Sequence, residues 1–189
     1  MTHKAFIEAV EDSPVITAVK DFEGLRRCFD SESRVVFILF GDICNIGDIV
    51  DEVKAHDKIA MVHIDLIAGL NNKEIAVDFI KKYTKADGII STKQQLVKRA
   101  KELDLYTVFL FFAIDSMAYD NINRQLGAVK SDFVEILPGM APKVIKNIVS
   151  SINVPVIAGG LIAEKEDVIG ILSSGATSIS TTNQKLWFI

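Results

Sequence analysis

Two stretches near the end of the chain carry residue types suited to chemistry. Pro155-Val156-Ile157-Ala158-Gly159-Gly160-Leu161-Ile162 reads as a strand running into paired glycines. One helix later, Gly175-Ala176-Thr177-Ser178-Ile179-Ser180-Thr181-Thr182 reads as a strand of small residues. With no Cβ in the way, Gly159 and Gly160 let main-chain N–H groups approach an oxyanion closely. Ser180, Thr181 and Thr182 add hydroxyl donors. This combination points to capture of a phosphate on a small ligand, and by itself it implies no bond-making step.

Polar residues interrupt other apolar segments. His63 and Asp65 are two apart in residues 59–67, which read as a strand. Both side chains are therefore expected on one face, with Val62, Ile64 and Leu66 on the other. Ser91, Thr92 and Lys93 close the strand 88–91, and Asp115 and Ser116 close the strand 106–114. Glu135 stands inside the strand 133–137, where an unpaired carboxylate is costly. Plainer roles exist for most of these. A strand His or Asp is often a satisfied structural group, Asp115 and Ser116 suit a helix cap, and Lys93 suits a solvated first turn. Cys28 and Cys44 have neither CxxC spacing nor the density of a disulfide scaffold, and are expected to be free thiols in a reducing cytosol. No His, Cys and carboxylate set has metal-ligand spacing, so neither a metal nor a cofactor is expected. Walker-type, HExxH and GxSxG motifs are absent.

The elements that must position these groups alternate along the chain. Strands are expected at 15–19, 35–40, 59–67, 88–91, 106–114, 133–137, 155–162 and 175–182. Helices are expected at 22–29, 46–55, 73–83, 94–103, 116–126, 142–152 and 165–172, with a short terminal one at 184–188. Such alternation demands parallel pairing and right-handed crossovers. Eight units predict an α/β fold, a compact (β/α)8 TIM-type barrel with short loops in a single domain over 1–189. A doubly wound open sheet is the alternative. In a barrel, ligand-binding groups sit at the C-terminal ends of the strands, and a phosphate most often sits after strands seven and eight.

Composition narrows the function classes. Of 189 residues, 49% are hydrophobic and 24% charged, with a net charge of -4, which suits a globular domain and argues against a broad basic face for nucleic acid. Lys81, Lys82 and Lys85, and Lys98, Arg99 and Lys101, read as solvated basic faces. The first residues lack the basic and apolar regions of a signal peptide, and the longest apolar run, 108–114, is far too short to span a bilayer. A soluble cytoplasmic protein with no membrane contact is expected.

Several segments together resemble the glycerol-3-phosphate-responsive antiterminator family, regulators of bacterial glycerol uptake operons. They are His63-Ile64-Asp65-Leu66-Ile67-Ala68-Gly69-Leu70, Asp87-Gly88-Ile89-Ile90-Ser91-Thr92-Lys93, Ile114-Asp115-Ser116, Val134-Glu135-Ile136-Leu137-Pro138-Gly139, the diglycine strand, Ser180-Thr181-Thr182-Asn183 and Leu186-Trp187. The resemblance implies a small barrel with glycerol-3-phosphate as effector, binding to a leader mRNA, prevention of transcription termination and no catalytic turnover. It implies Gly159, Gly160 and Thr181 on the phosphate, and Glu135, His63, Asp65 and Lys93 at the polyol end or the pocket floor. Two adjacent positions depart from the family pattern: Phe109-Leu110 stands where that pattern has Gln-Arg. Two other readings stay open. One is a barrel isomerase or lyase acting on a phosphorylated triose or sugar, with Glu135 or the His63–Asp65 pair as base and Lys93 as electrophile. The other is a phosphate-ligand sensor without RNA binding. A homodimer through helix faces or the Leu186-Trp187-Phe188 tail is compatible with all of them.

Overall fold

In the computed structural model, which describes residues 3–113, 122 and 124–189, the alternating elements close into a parallel barrel. Its strands are β1 (Val15–Val19), β2 (Val35–Ile38), β3 (Ile59–His63), β4 (Gly88–Ser91), β5 (Tyr106–Phe112), β6 (Phe133–Leu137), β7 (Val156–Gly159) and β8 (Ser178–Thr181). They pair in chain order, and β8 returns to β1 through Ile16 and Ser180. The closed barrel excludes the open doubly wound sheet. The helices are α1 (His3–Glu11), α2 (Phe22–Cys28), α3 (Ile46–Ala55), α4 (Ile75–Tyr83), α5 (Gln94–Glu102), α6 (helical over 124–128), α7 (Pro142–Ser151) and α8 (Lys165–Ser173). A terminal 3-10 turn, Gln184–Phe188, follows β8. Asp115 and Ser116, with most of the helix expected at 116–126, lie outside the described residues.

The strands read as near-continuous apolar runs because they are buried on both faces. Alternate residues divide between two cores. Val36, Ile38, Val62 and Phe109 pack outward against the helices. Val35, Phe37, Met61, Val108 and Phe133 point into the barrel.

The helix α1 was not expected from the sequence. Its Phe6, Ala9 and Val10 are buried in the inner core. Phe6 stacks on Tyr106 with ring centroids 4.4 Å apart and meets Phe133 edge-on at 5.4 Å. Tyr106 and Phe133 are the first residues of β5 and β6, so α1 stoppers the N-terminal end of the barrel. The opposite end is left for a ligand.

Two acids, the half-buried Asp87 and the buried Asp132, tie the strand starts to neighbouring elements. Asp87 accepts the Ala60 N–H at 2.9 Å and the Lys54 ammonium at 2.6 Å. Asp132 accepts the Thr107 N–H at 2.8 Å and Lys101 at 2.7 Å. Arg99 pairs with Asp78 at 2.6 Å, and Lys85 with Asp51 at 3.1 Å. The basic helix faces are thus partly spent on internal ion pairs.

Local capping also follows the sequence. Asp21 precedes α2 in extended backbone, and its carboxylate accepts the Gly24 N–H at 2.7 Å. Asp21→Ala removes that cap and is expected to cost about 1 kcal/mol. The thermal midpoint should fall by about 2–4 °C, which a melting curve checks.

Candidate functional site

A cavity of about 710 Å3 opens at the C-terminal ends of the strands. Its size is that of a pocket for a sizeable small molecule.

Glu135 lies on its floor. It shares the inward face of β6 with Phe133 and is 4% exposed. Its register partner on β5 is Leu110, and its Oε1 accepts a 2.5 Å hydrogen bond from the Ser180 hydroxyl. Burial pushes the carboxyl up from 4.5 to about 7, and the Ser180 bond offsets part of that rise. His63 ends β3 and also lines the cavity. Desolvation holds its imidazole below the ordinary 6.5, against a smaller opposing effect from Asp65. At pH 7 the ring is therefore neutral, and its buried Nδ1 has no hydrogen-bond partner.

The chain departs from the expected strand just after His63. β3 stops there, and Ile64–Leu66 form a 3-10 turn. Asp65 does not share a strand face with His63. Its Oδ1 accepts the Ser91 hydroxyl at 2.7 Å, and its Oδ2 accepts the Thr92 N–H at 2.7 Å and the Thr92 hydroxyl at 2.9 Å. These bonds pull the backbone out of the ladder and tie the loop after β3 to the loop after β4. Asp65 still borders the cavity, and Leu66, expected to face away, stands half-exposed on its rim.

Ser91 is fully buried, committed to Asp65, and accepts the Lys93 N–H at 3.0 Å. Neither Ser91 nor Lys93 lines the cavity, and the Lys93 side chain is exposed at the start of α5. Among the described residues, no lysine or arginine lines the site.

The two glycines have different surroundings. Gly160 faces the cavity with φ 75°. Gly159 stands behind it, where a Cβ would lie 2.5 Å from Ser180 Oγ and 2.6 Å from Glu135 Oε1. Its missing side chain makes room for the Glu135–Ser180 pair. Ser180, Thr181 and Thr182 all line the cavity. The Thr181 hydroxyl accepts the Asn183 N–H at 3.0 Å, and its carbonyl accepts the Trp187 indole N–H at 2.8 Å. Leu186 and Trp187 are consequently buried in their own chain, leaving Phe188 as the exposed part of the tail.

Sequence reasoning missed the apolar walls. Phe37 and Leu39 of the β2 side and Leu110 and Phe112 of β5 face the cavity. Leu161 also lines it, 70% exposed and at φ 60°. An L-residue at such a φ costs roughly 1–2 kcal/mol, and Asn tolerates it better. Leu161→Asn is therefore expected to raise stability by about 0.5–1 kcal/mol, read by chemical denaturation.

The arrangement offers a floor with a neutral imidazole and a carboxyl titrating near neutrality. Gly160 and the hydroxyl-bearing Thr181 and Thr182 line the ends of β7 and β8, and apolar Phe37, Leu39, Leu110 and Phe112 line the cavity as well.

A model of the family described as glycerol-3-phosphate responsive antiterminator matches residues 15–187. The chain is 39% identical over 181 residues to the uncharacterized protein YgcP of Escherichia coli (strain K12), across 96% of this chain and 95% of that one. It is similar to the crystal structure of a glycerol uptake operon antiterminator regulatory protein from Listeria monocytogenes str. 4b F2365, with a TM-score of 0.88 at 31% identity, covering 92% and 94% of the two chains. It is also similar to that of a glycerol uptake operon antiterminator-related protein from Thermotoga maritima MSB8, with a TM-score of 0.82 at 35% identity, covering 93% and 98%.

Proposed function

We infer a ligand-gated regulator of transcription, because the chain belongs to the glycerol-3-phosphate responsive antiterminator family. In this reading a small phosphorylated ligand, glycerol-3-phosphate in the first instance, enters the mouth of the barrel. Its phosphate meets Gly160, Thr181 and Thr182, and its remainder reaches toward His63 and Glu135. The liganded form then binds leader mRNA and prevents termination. The observation that carries this reading is the family match over nearly the whole barrel, from residue 15 to residue 187. The mouth supports it, since Gly160, Thr181 and Thr182 line it at the ends of β7 and β8. Ligand and RNA need only a modest coupling: a difference of about 1–3 kcal/mol between two conformations gives a useful switch.

Glu135, titrating at about 7 in the cavity that a neutral His63 also lines, favours a second reading as a proton-transferring barrel enzyme. One experiment separates the two. The protein is titrated calorimetrically with glycerol-3-phosphate, with glycerol and inorganic phosphate as controls, and the ligand is assayed after overnight incubation. Saturable binding without consumption, followed by ligand-dependent retention of a leader RNA, is the result expected of the regulator. Consumption of the ligand establishes the enzyme instead.

A further inference from the structure

We propose that this cavity selects a phosphate monoester with an apolar body, alkyl or aryl, in preference to a polyol phosphate. This rests on the ligand-gated reading above and concerns the specificity of the same site.

Three observations carry it. First, two of the side walls are hydrocarbon. Phe37 and Leu39 stand on the β2 side, and Leu110 and Phe112 on β5, in register with Glu135 and Leu137. A hydroxyl placed against these walls finds no hydrogen-bond partner there and loses its water, which is costly. Second, apolar side chains stand open to solvent at the rim: Leu66 is 51% exposed, Phe112 53% and Leu161 70%. Exposed apolar side chains around a concave site suit contact with an apolar ligand. Leu161 is moreover held there in the left-handed region, where leucine is disfavoured. Third, the cavity of about 710 Å3 is larger than a phosphate group fills, which leaves room for the body of the ligand against the lining. His63 and Glu135, both buried, add polar groups to the cavity lining.

The test is competitive calorimetry with phenyl phosphate, glycerol-3-phosphate, phenol and inorganic phosphate. Phenyl phosphate is expected to bind at least 30-fold more tightly than glycerol-3-phosphate, a difference of about 2 kcal/mol, and phenol only weakly. Phe112→Ser and Leu66→Ser change half-exposed rim positions, so both variants are expected to fold. Each should weaken phenyl phosphate about 5-fold to 10-fold more than it weakens glycerol-3-phosphate. Equal or tighter binding of glycerol-3-phosphate overturns this inference and leaves the regulator reading standing. Failure of both phosphate esters to bind overturns the two together, and phenol binding as tightly as phenyl phosphate removes the phosphate from the recognition.

Discussion

Gly159→Ala is expected to unfold at about 3–5 kcal/mol less free energy than the parent and to lose binding of any ligand that uses the cavity floor. The added methyl would sit 2.5 Å from Ser180 Oγ and 2.6 Å from Glu135 Oε1. Both atoms belong to one buried hydrogen bond. Relief requires either that the strand moves or that the pair separates. The strand is pinned, because the Gly139 N–H donates to the Gly159 carbonyl at 2.5 Å. A Cβ at Gly139 itself would lie only 2.8 Å from the Gly159 nitrogen, so the two backbones are already in contact. Separating the pair strands the Glu135 carboxyl beside Leu110. Gly127→Ala is the matched control. A Cβ there meets nothing within 4 Å, and the residue is helical, so the same substitution should stabilise by about 0.5–1 kcal/mol. Urea unfolding of both variants checks the pair. A loss under 1 kcal/mol for Gly159→Ala would mean that the Glu135–Ser180 contact can relocate freely.

This contrast also marks where reading the sequence stops. The barrel was legible because parallel strands covered on both faces leave apolar runs that little else produces. Glu135 was legible because it is a carboxylate inside such a run. Its partner was not, since Ser180 lies 45 residues away and only closure of the barrel brings the two together. Asp65 was misplaced for the same reason. Alternation with His63 imitates a strand, and the bonds that override it come from Ser91 and Thr92, 26 and 27 residues along. The helix α1 was passed over because nine residues without a first-turn acid or a last-turn base announce little, and the helix gains its stability from packing on Tyr106 and Phe133. The apolar cavity walls were invisible because Phe37 and Leu110 are the same residue types as the core beside them. Lys93 follows the end of a strand, which suits a pocket residue, yet its side chain is exposed at the start of α5.

Glu135→Gln is expected to change how stability depends on pH. The carboxyl titrates at about 7 in the folded protein against 4.5 ordinarily, with desolvation as the larger cause. Between those values the native state holds a proton that the unfolded chain has released, so stability falls as pH rises through this window. The stabilisation is fully present below pH 4.5 and gone above about pH 7. The loss amounts to about 3 kcal/mol, at roughly 1.4 kcal/mol for each pH unit. Glutamine keeps the volume, still accepts the Ser180 hydroxyl and carries no charge to desolvate. The variant should therefore come closest to the parent at pH 5, exceed it increasingly up to about pH 7 and keep that margin at pH 8. His63 contributes with the opposite sign, since its depressed pKa makes the protein lose stability as pH falls. Because it is present in both proteins, its contribution cancels in the difference. Urea unfolding of parent and variant at pH 5, 6, 7 and 8 supplies that difference, and a constant value would show that Glu135 titrates as an ordinary surface carboxylate does. A rising one means that, near neutral pH, the floor of the cavity is divided between a hydrogen-bond donor and an anion. A ligand that presents an acceptor to Glu135 then draws a proton into the protein as it binds, whereas one that presents a donor expels it.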